Sequence, residues 1–416
     1  MKRLFASAMA VTAVTVAALT LATVGCQKNN SSPSPGGSTA GALRVSTKFA
    51  GQTNDFAFDF FKKVYAEEAK TENAFVSPLS LHIALGMLMN GAGGQTQTEI
   101  QKTLKLDAQT LSEANDTYAN LMTNLPGVDP NVKLSIANSM WYRNGFTVET
   151  SFQDVLRKTF QADITGLDFN SPTAKDRINQ WASDKTNGKI PNVISEVKPE
   201  HVMFLLNALY FKGDWKTKFD TKQTYDTDFR LLSGQTKSVK MMRLDVPLRR
   251  VFRPSYTAFE LPYSQGNYVM TVLLPNENSS LDAMINTLNG TEWAALQQGM
   301  AEGKIDIGLP RFGMKYSIKL NSILSGMGMP TAFSNSADLS GISKGKQLYV
   351  DFVKQDTYVA VDESGTEAAA VTSIGVGVTS AGMSYICNRP FAFVIHEKTT
   401  GTVLFMGKIV NPDTNS

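Results

Sequence analysis

The chain of 416 residues is poor in cysteine and contains only Cys26 and Cys387. Cys26 ends an apolar N-terminal stretch that we expect to be processed, so Cys387 has no partner for an intrachain disulfide. Stability must therefore come from an apolar core. With 42% hydrophobic residues, the sequence is long enough to bury a large core.

Net charge is also nearly absent, because 40 Lys and Arg residues face 37 Asp and Glu residues. Lys2 and Arg3 lie in the segment that we expect to be removed, which leaves the mature chain almost neutral. This balance argues against a nucleic-acid-binding protein and against electrostatic binding to a membrane surface. The stretch 95–106 carries only Lys102 and Lys105, so no heparin-type cofactor, and no other cofactor, is predicted.

Catalytic motifs are missing as well. The sequence has no Gly-x-Ser-x-Gly elbow, His-Glu-x-x-His pair, Cys-x-x-Cys pair or Walker loop. Its three histidines, His82, His201 and His396, each lie in an apolar element, where a structural role is favoured. Cys387 precedes a predicted strand and is better interpreted as a small buried hydrophobe than as a nucleophile. We predict neither an enzyme nor a metal site.

The N-terminus predicts export. Lys2 and Arg3 precede the apolar stretch Leu4–Val24, so residues 1–25 are interpreted as a signal peptide rather than a membrane anchor helix. Gly25-Cys26 resembles a bacterial lipobox, although Thr23 stands where leucine is usual. We expect Cys26 to carry a lipid that tethers the protein to the cell surface, with simple secretion as the alternative.

Residues 26–48 form a Ser/Gly/Pro-rich linker, and residues 49–413 are predicted to form a single domain. The first half of this domain has helical patterns, such as Leu79–Met89. Beyond about residue 200 the pattern changes to strands, first in the apolar runs Val202–Phe211 and Tyr268–Leu274. Helices early and strands late in one chain predict an α+β fold.

One segment, residues 363–386, has composition typical of a loop but a periodicity typical of a strand. From Thr366 onward, alternate residues are small or β-branched, which predicts one face suited to a core. No proline occurs from Thr331 to Arg389, so nothing would prevent pairing inside a sheet. Three consecutive alanines and two glycines nevertheless give poor strand propensity. An ordinary buried strand is one interpretation; a segment that switches between loop and strand is the other.

Eight motifs between about residues 50 and 413 are shared with one protein family. They are Asn73–Ser80, Asn179–Ile190, Asn207–Trp215, Glu260–Tyr263, Leu309–Phe312, Glu363–Ala370, Asn388–Phe391 and Phe405–Pro412. Together these residues resemble the serpin family of protease inhibitors. The family fold has three β-sheets, about nine helices and an exposed reactive-centre loop. Through strand insertion of this loop, a member traps its protease as a covalent acyl-enzyme, so the resemblance implies a suicide inhibitor.

The resemblance also implies residue roles. Trp215 would pack at the breach, where the loop enters the main sheet. Gln355 stands where many serpins have a shutter histidine, and its amide can donate and accept without a titrating proton. The shutter would comprise Ser77, Ser80, Asn207 and Gln355. The hinge would comprise Glu363, Gly365, Thr366, Glu367, Ala368, Ala369 and Ala370.

Counting from the hinge and from Pro390 places the reactive bond at Thr379–Ser380, with Val378–Thr379 as the nearest alternative. A small uncharged residue before the cleaved bond disfavours trypsin-like targets. Elastase-like or subtilisin-like serine proteases are expected as partners, and papain-like cysteine proteases remain open. We expect a monomer. The competing interpretation is a non-inhibitory serpin that acts as a carrier or chaperone.

Overall fold

Nine α-helices occur among the residues that the structure, a computed structural model, describes, namely 43–345, 347–367 and 384–413. The first begins after Ser46, whose hydroxyl accepts a hydrogen bond from the backbone N–H of Phe49. The helices are α1 Thr47–Glu67, α2 Pro78–Met89, α3 Gly94–Thr103, α4 Leu111–Asn124, α5 Thr150–Phe160, α6 Ala174–Lys185, α7 Leu281–Thr287, α8 Gly290–Gly299 and α9 Asn321–Met327.

Fifteen strands are described, and most of them follow residue 200, as the sequence predicts. They are β1 Ala74–Val76, β2 Lys133–Arg143, β3 Asp163–Leu167, β4 Met203–Asp214, β5 Tyr225–Arg230, β6 Thr236–Phe252, β7 Tyr256–Tyr263, β8 Tyr268–Pro275, β9 Ala301–Pro310, β10 Phe312–Lys319, β11 Lys354–Val361, β12 Gly365–Thr366, β13 Ser384–Ile386, β14 Phe391–Glu397 and β15 Val403–Ile409. The predicted α+β class is confirmed.

Six strands form what we call the main sheet, in the order β10-β11-β12-β4-β2-β3. The pairs β10–β11, β11–β12, β12–β4 and β4–β2 are antiparallel, and β2 and β3 pair in parallel. The interior strands β4 and β2 pair over ten residues, whereas β12, between β4 and β11, has only two.

The other nine strands form one connected network with two distinct parts. One part is β1-β15-β14-β8-β7, and the other contains β5, β6, β9 and β13. Only three residue pairs between β6 and β7, at Arg250–Phe252, join them. Together with the main sheet, the two parts correspond to the three sheets expected from the sequence.

The two faces of the main sheet are covered differently. Helix α2 has eleven of its twelve residues buried and lies against β4 and β15, as expected of a helix that is apolar on all sides. Helix α6 lies on the opposite face, which we call the outer face, where Ile178 packs with Trp141 and Phe204 in a separate small core. None of the described helices is both long and apolar enough to cross a membrane.

Two histidines and the cysteine are buried inside these layers. His82 contacts the hydroxyl of Tyr118 at 2.9 Å, and burial lowers the pKa of His82 to about 4. Burial likewise lowers the pKa of His396 to about 4. Cys387 follows β13 with no exposed surface, and burial raises the pKa of its thiol to about 12. A thiol in this state is unreactive as a nucleophile.

Candidate functional site

The short strand β12 lies at one end of a gap between two long strands of the main sheet. Thr366 pairs with Gly213 of β4 and with Val361 of β11. Beyond this point, β4 and β11 have no pairing with each other in the part of the chain that the structure describes. We call the space between them the slot. Two strands held apart in this way present unpaired backbone groups to any additional strand.

The residues of β12 are buried before any cleavage occurs. Thr366 is 3% exposed, and its hydroxyl lies 2.6 Å from the hydroxyl of Tyr263 on the inner face. Gly365 approaches β4 so closely that a Cβ there would lie 2.1 Å from the carbonyl oxygen of Gly213. Only glycine fits this position. This explains why β12 begins with Gly365, although glycine has a low strand propensity.

The turn before β12 is fixed by two acidic side chains. Asp362 Oδ1 accepts the backbone N–H groups of Ser364 and Gly365 at 2.8 and 3.2 Å, and burial raises the pKa of Asp362. Glu363 accepts three hydrogen bonds from Arg311, from Nε to Oε1 at 2.9 Å and to Oε2 at 2.8 Å, and from Nη2 to Oε1 at 2.6 Å. Burial opposes the charge on Glu363, but the bonds from Arg311 and Thr224 outweigh it and lower the pKa of Glu363.

Trp215 connects this turn to the end of β4. Its indole Nε1 donates to the carbonyl of Asp362 at 2.9 Å, and its backbone N–H donates to the carbonyl of Ser364 at 2.8 Å. Its ring stacks on Tyr263 with centroids 4.5 Å apart. Trp215 is 3% exposed, so it forms a rigid aromatic wall beside the point where β12 enters the sheet.

Strand β12 ends at Thr366, and Glu367 is the last described residue before the reactive-loop segment. Its backbone N–H still donates to the carbonyl of Ala360 at 2.7 Å, but its φ of 59° lies in the left-handed region, which is unfavourable for glutamate. Its carboxylate forms an ion pair at 3.0 Å with Lys189, in the turn after α6. This contact holds Glu367 on the outer face, opposite to the side chain of Thr366.

A polar network crosses the middle of the sheet, next to the start of α2. Gln355 Oε1 accepts the backbone N–H of Ser77 at 2.9 Å, and Gln355 Nε2 donates to the carbonyl of Ser77 at 2.8 Å. The hydroxyl of Ser80 donates to Asn207 Oδ1, and Asn207 Nδ2 donates to Asn138 Oδ1 at 2.6 Å. Helix α2 therefore contacts both walls of the slot through hydrogen bonds.

A cavity of about 310 Å³ lies along the part of the slot that β12 does not occupy. Its lining comes from α2, from β4 and from residues 347–356, which lead into β11. His201 and Asp351 both line it and are in contact, with His201 Nε2 3.1 Å from Asp351 Oδ2. The lining is mainly apolar, so the slot offers a dry surface to small aliphatic side chains.

A family model described as Serpin (serine protease inhibitor) matches residues 51–412. The chain belongs to the serpin family. Its curated relatives include human Serpin B11, 34% identical over 385 residues that cover 86% of this chain and 98% of the relative. The Leukocyte elastase inhibitor of Xenopus laevis is also 34% identical, with 86% of this chain and 97% of the relative covered.

Solved serpin structures match the fold over most of its length. The thermophilic serpin Tengpin in its native state has a TM-score of 0.82 and 32% identity, covering 88% of this chain and 95% of that one. Thyroxine-binding globulin in complex with thyroxine has a TM-score of 0.80 and 27% identity, covering 88% of this chain and 99% of that one. The matched folds thus include a protein whose structure holds a small molecule, thyroxine.

The structure brings many of the predicted serpin site residues together. Glu363, Gly365 and Thr366 lie in or next to the turn that Trp215 contacts, and the four shutter residues are joined through α2. Glu367 follows them and pairs with Lys189 instead. The hinge alanines Ala368, Ala369 and Ala370 lie outside the described residues. So do both candidate reactive bonds, Thr379–Ser380 and Val378–Thr379, and the lipid site Cys26.

Three features of this site were not expected from the sequence. Gly365 and Thr366 are already paired with β4 in the uncleaved chain, because Gly213 and Gly365 let the two backbones approach. The sequence analysis did not identify Asn138 as a hydrogen-bond partner of Asn207. The presence of an asparagine inside the apolar strand β2 could have indicated a buried polar contact. Lys189 was missed because no sequence pattern connects it with Glu367.

Proposed function

We propose that this serpin inhibits its target protease as a suicide substrate, through cleavage of the loop and insertion of the cleaved strand into the slot. The observation that carries the proposal is β12, a two-residue strand already paired on both sides at one end of an otherwise open slot. Residues 368–378 would continue this strand, and each added residue gains backbone hydrogen bonds to β4 or β11. A protease held as an acyl-enzyme at the loop would be carried along.

The register of β12 supports this continuation. Extending the pairs Thr366–Gly213 and Thr366–Val361 by six residues brings Thr372 opposite both Asn207 and Gln355. Between Thr366 and Val378, Thr372 would then be the only further residue with a hydroxyl on the inner face. Its hydroxyl would reach the side-chain amides of Asn207 and Gln355. On the same face, Ile374 would fall in the apolar cavity, where its burial is favourable.

The target class follows from the residue before the cleaved bond. Thr379 is small and uncharged, which suits elastase-like and subtilisin-like serine proteases, and Val378 keeps papain-like cysteine proteases open as targets. The test is incubation with a panel of these proteases, followed by a denaturing gel and N-terminal sequencing of the released fragment. We expect an adduct that survives boiling in detergent and a fragment that begins at Ser380. Cleavage without any adduct across the panel would instead indicate a non-inhibitory serpin.

We further propose that the protein is exported and anchored through a lipid on Cys26. The support is the N-terminal pattern that ends at Gly25-Cys26. Expression in a bacterium fed with labelled palmitate should give a labelled, membrane-associated protein, and Cys26→Ser should give an unlabelled one. Label in neither protein would leave secretion without a lipid as the better proposal.

A further inference from the structure

Three aromatic rings bridge the part of the slot that β12 does not occupy. His201 and Phe204 lie on the β4 side of the slot, and Phe352 lies on the β11 side. The ring centroids of Phe204 and Phe352 are 6.0 Å apart, and the ring of His201 lies 5.1 Å from Phe204 and 6.0 Å from Phe352. Asp351 adds a polar contact between the two sides, because its Oδ2 lies 3.1 Å from His201 Nε2. We call the three rings the roof.

The roof covers the slot on its outer face, and α2 covers it on the inner face. Phe204 belongs to the small core that contains Ile178 of α6, and Phe352 packs against that core. Leu81 and Leu85 of α2 line the 310 Å³ cavity from the inner face. A loop that carries a protease cannot pass lengthwise through a covered slot, because a folded domain of about 220 residues has a radius of gyration of about 17 Å. The rings of the roof must therefore separate before the strand can enter.

The register of β12 would bring the two glycines of the loop under the roof. Gly375 and Gly377 lie outside the described residues, but extending the two pairs of Thr366 by nine residues brings Gly375 opposite both Phe204 and Phe352. Nine residues is an odd number, so position 375 would lie on the outer face, as the two rings do. Rings with centroids 6.0 Å apart are already in contact, so a side chain at position 375 would hold them apart. Glycine is unfavourable in a strand and often marks a close approach of this kind.

We propose that the roof opens once to admit the loop and closes again over Gly375, so that the rings and this glycine set the rate of insertion. The inference rests on the proposed suicide mechanism and names residues that control it. Separation of the rings exposes apolar surface, and their return to contact buries it again. A larger side chain at position 375 would keep the rings apart and slow insertion. Water would then hydrolyse the ester of the acyl-enzyme before the strand is in place, and active protease would be released.

The role of Gly375 is tested by thermal melts of protein that has been cut near Thr379–Ser380. Gly375→Leu adds a side chain under the roof, and the control Ser373→Leu adds the same side chain to the same face, two residues before the roof. We expect the cut Gly375→Leu protein to melt at least about 3 °C below the cut natural protein, whereas cut Ser373→Leu should melt like it. If cutting stabilises the natural protein and Gly375→Leu equally, the roof proposal is wrong and insertion stands. If cutting stabilises neither, strand insertion is wrong and the roof proposal fails with it.

The role of the rings is tested by rescue, with a protease that forms the adduct. We expect Gly375→Leu to raise the number of inhibitor molecules consumed per trapped protease by at least about threefold. Phe352→Ala, added to Gly375→Leu, makes room for the leucine and should return this number to within about twofold of the natural value. Phe169→Ala removes a ring from the same small core but does not line the cavity, so it should not rescue. No rescue by Phe352→Ala, or equal rescue by Phe169→Ala, would overturn the proposal; Phe352→Leu and Phe169→Leu serve if the alanine variants do not fold.

Discussion

At the scale of single residues, Thr366 decides whether a strand can occupy the top of the slot. Thr366→Arg places a cation where the threonine is now 3% exposed and bonded to Tyr263. An unpaired buried charge costs several kcal/mol, so β12 should leave the sheet and later insertion should fail. We expect the variant to be cleaved as a substrate, with no adduct on a denaturing gel. Thr366→Ser keeps the hydroxyl and should still form the adduct.

The pair Arg311–Glu363 predicts a dependence of stability on pH. Because folding lowers the pKa of Glu363, its stabilising effect is complete above the unfolded pKa of about 4.3 and is lost as the pH falls through the folded pKa. Glu363→Gln should therefore lower the melting temperature at pH 7 and have progressively less effect toward pH 3. Glu196→Gln removes an exposed carboxylate and should show no such trend. A constant difference across this pH range would contradict the assignment.

At the scale of elements, the polar network between α2 and the main sheet holds β4 and β11 in place on either side of the slot. Asn207→Ala leaves the hydroxyl of Ser80 and the side-chain oxygen of Asn138 without their partner. Each buried polar group left unsatisfied costs about 1–3 kcal/mol. We expect the melting temperature to fall by several degrees. Inhibitory activity should also decay faster during incubation at about 37 °C. Asn335→Ala, at an exposed position, should change neither.

Elements with a local sequence signature could be predicted, and those that depend on distant contacts could not. The apolar run Val202–Phe211 predicted β4, but the strand extends to Asp214. The extension depends on backbone pairing with β2 and β12 and not on apolar side chains, so hydrophobicity could not predict it. The two hydrogen bonds of Gln355 could be predicted, because a side-chain amide can donate and accept at the same time. The bond between Lys189 and Glu367 joins residues far apart in the chain, so only the fold places them together.

At the scale of the whole molecule, an open slot predicts that cleavage stabilises the protein. Burying the inner-face side chains of a new strand is favourable by about 5–10 kcal/mol on transfer scales, and each new backbone hydrogen bond adds about 0.5–1.5 kcal/mol. Limited proteolysis near Thr379–Ser380 should give two fragments that stay associated and melt tens of degrees above the intact protein. Thermal melts of both forms in one buffer test this; an equal or lower midpoint would mean that the strand does not insert.

Because Cys387 is buried, the rate at which its thiol reacts reports on movements of β13, which pairs with β9 at the edge of the nine-stranded network. Its backbone N–H donates to the carbonyl of Gly308 at 2.8 Å, directly after β13, so alkylation of the thiol requires this edge to separate from β9. In the Cys26→Ser variant, the rate of labelling by a small maleimide measures how often β13 separates from β9. We expect slow labelling that urea accelerates well below the unfolding midpoint. Labelling only in step with global unfolding would show that β13 and the core separate together.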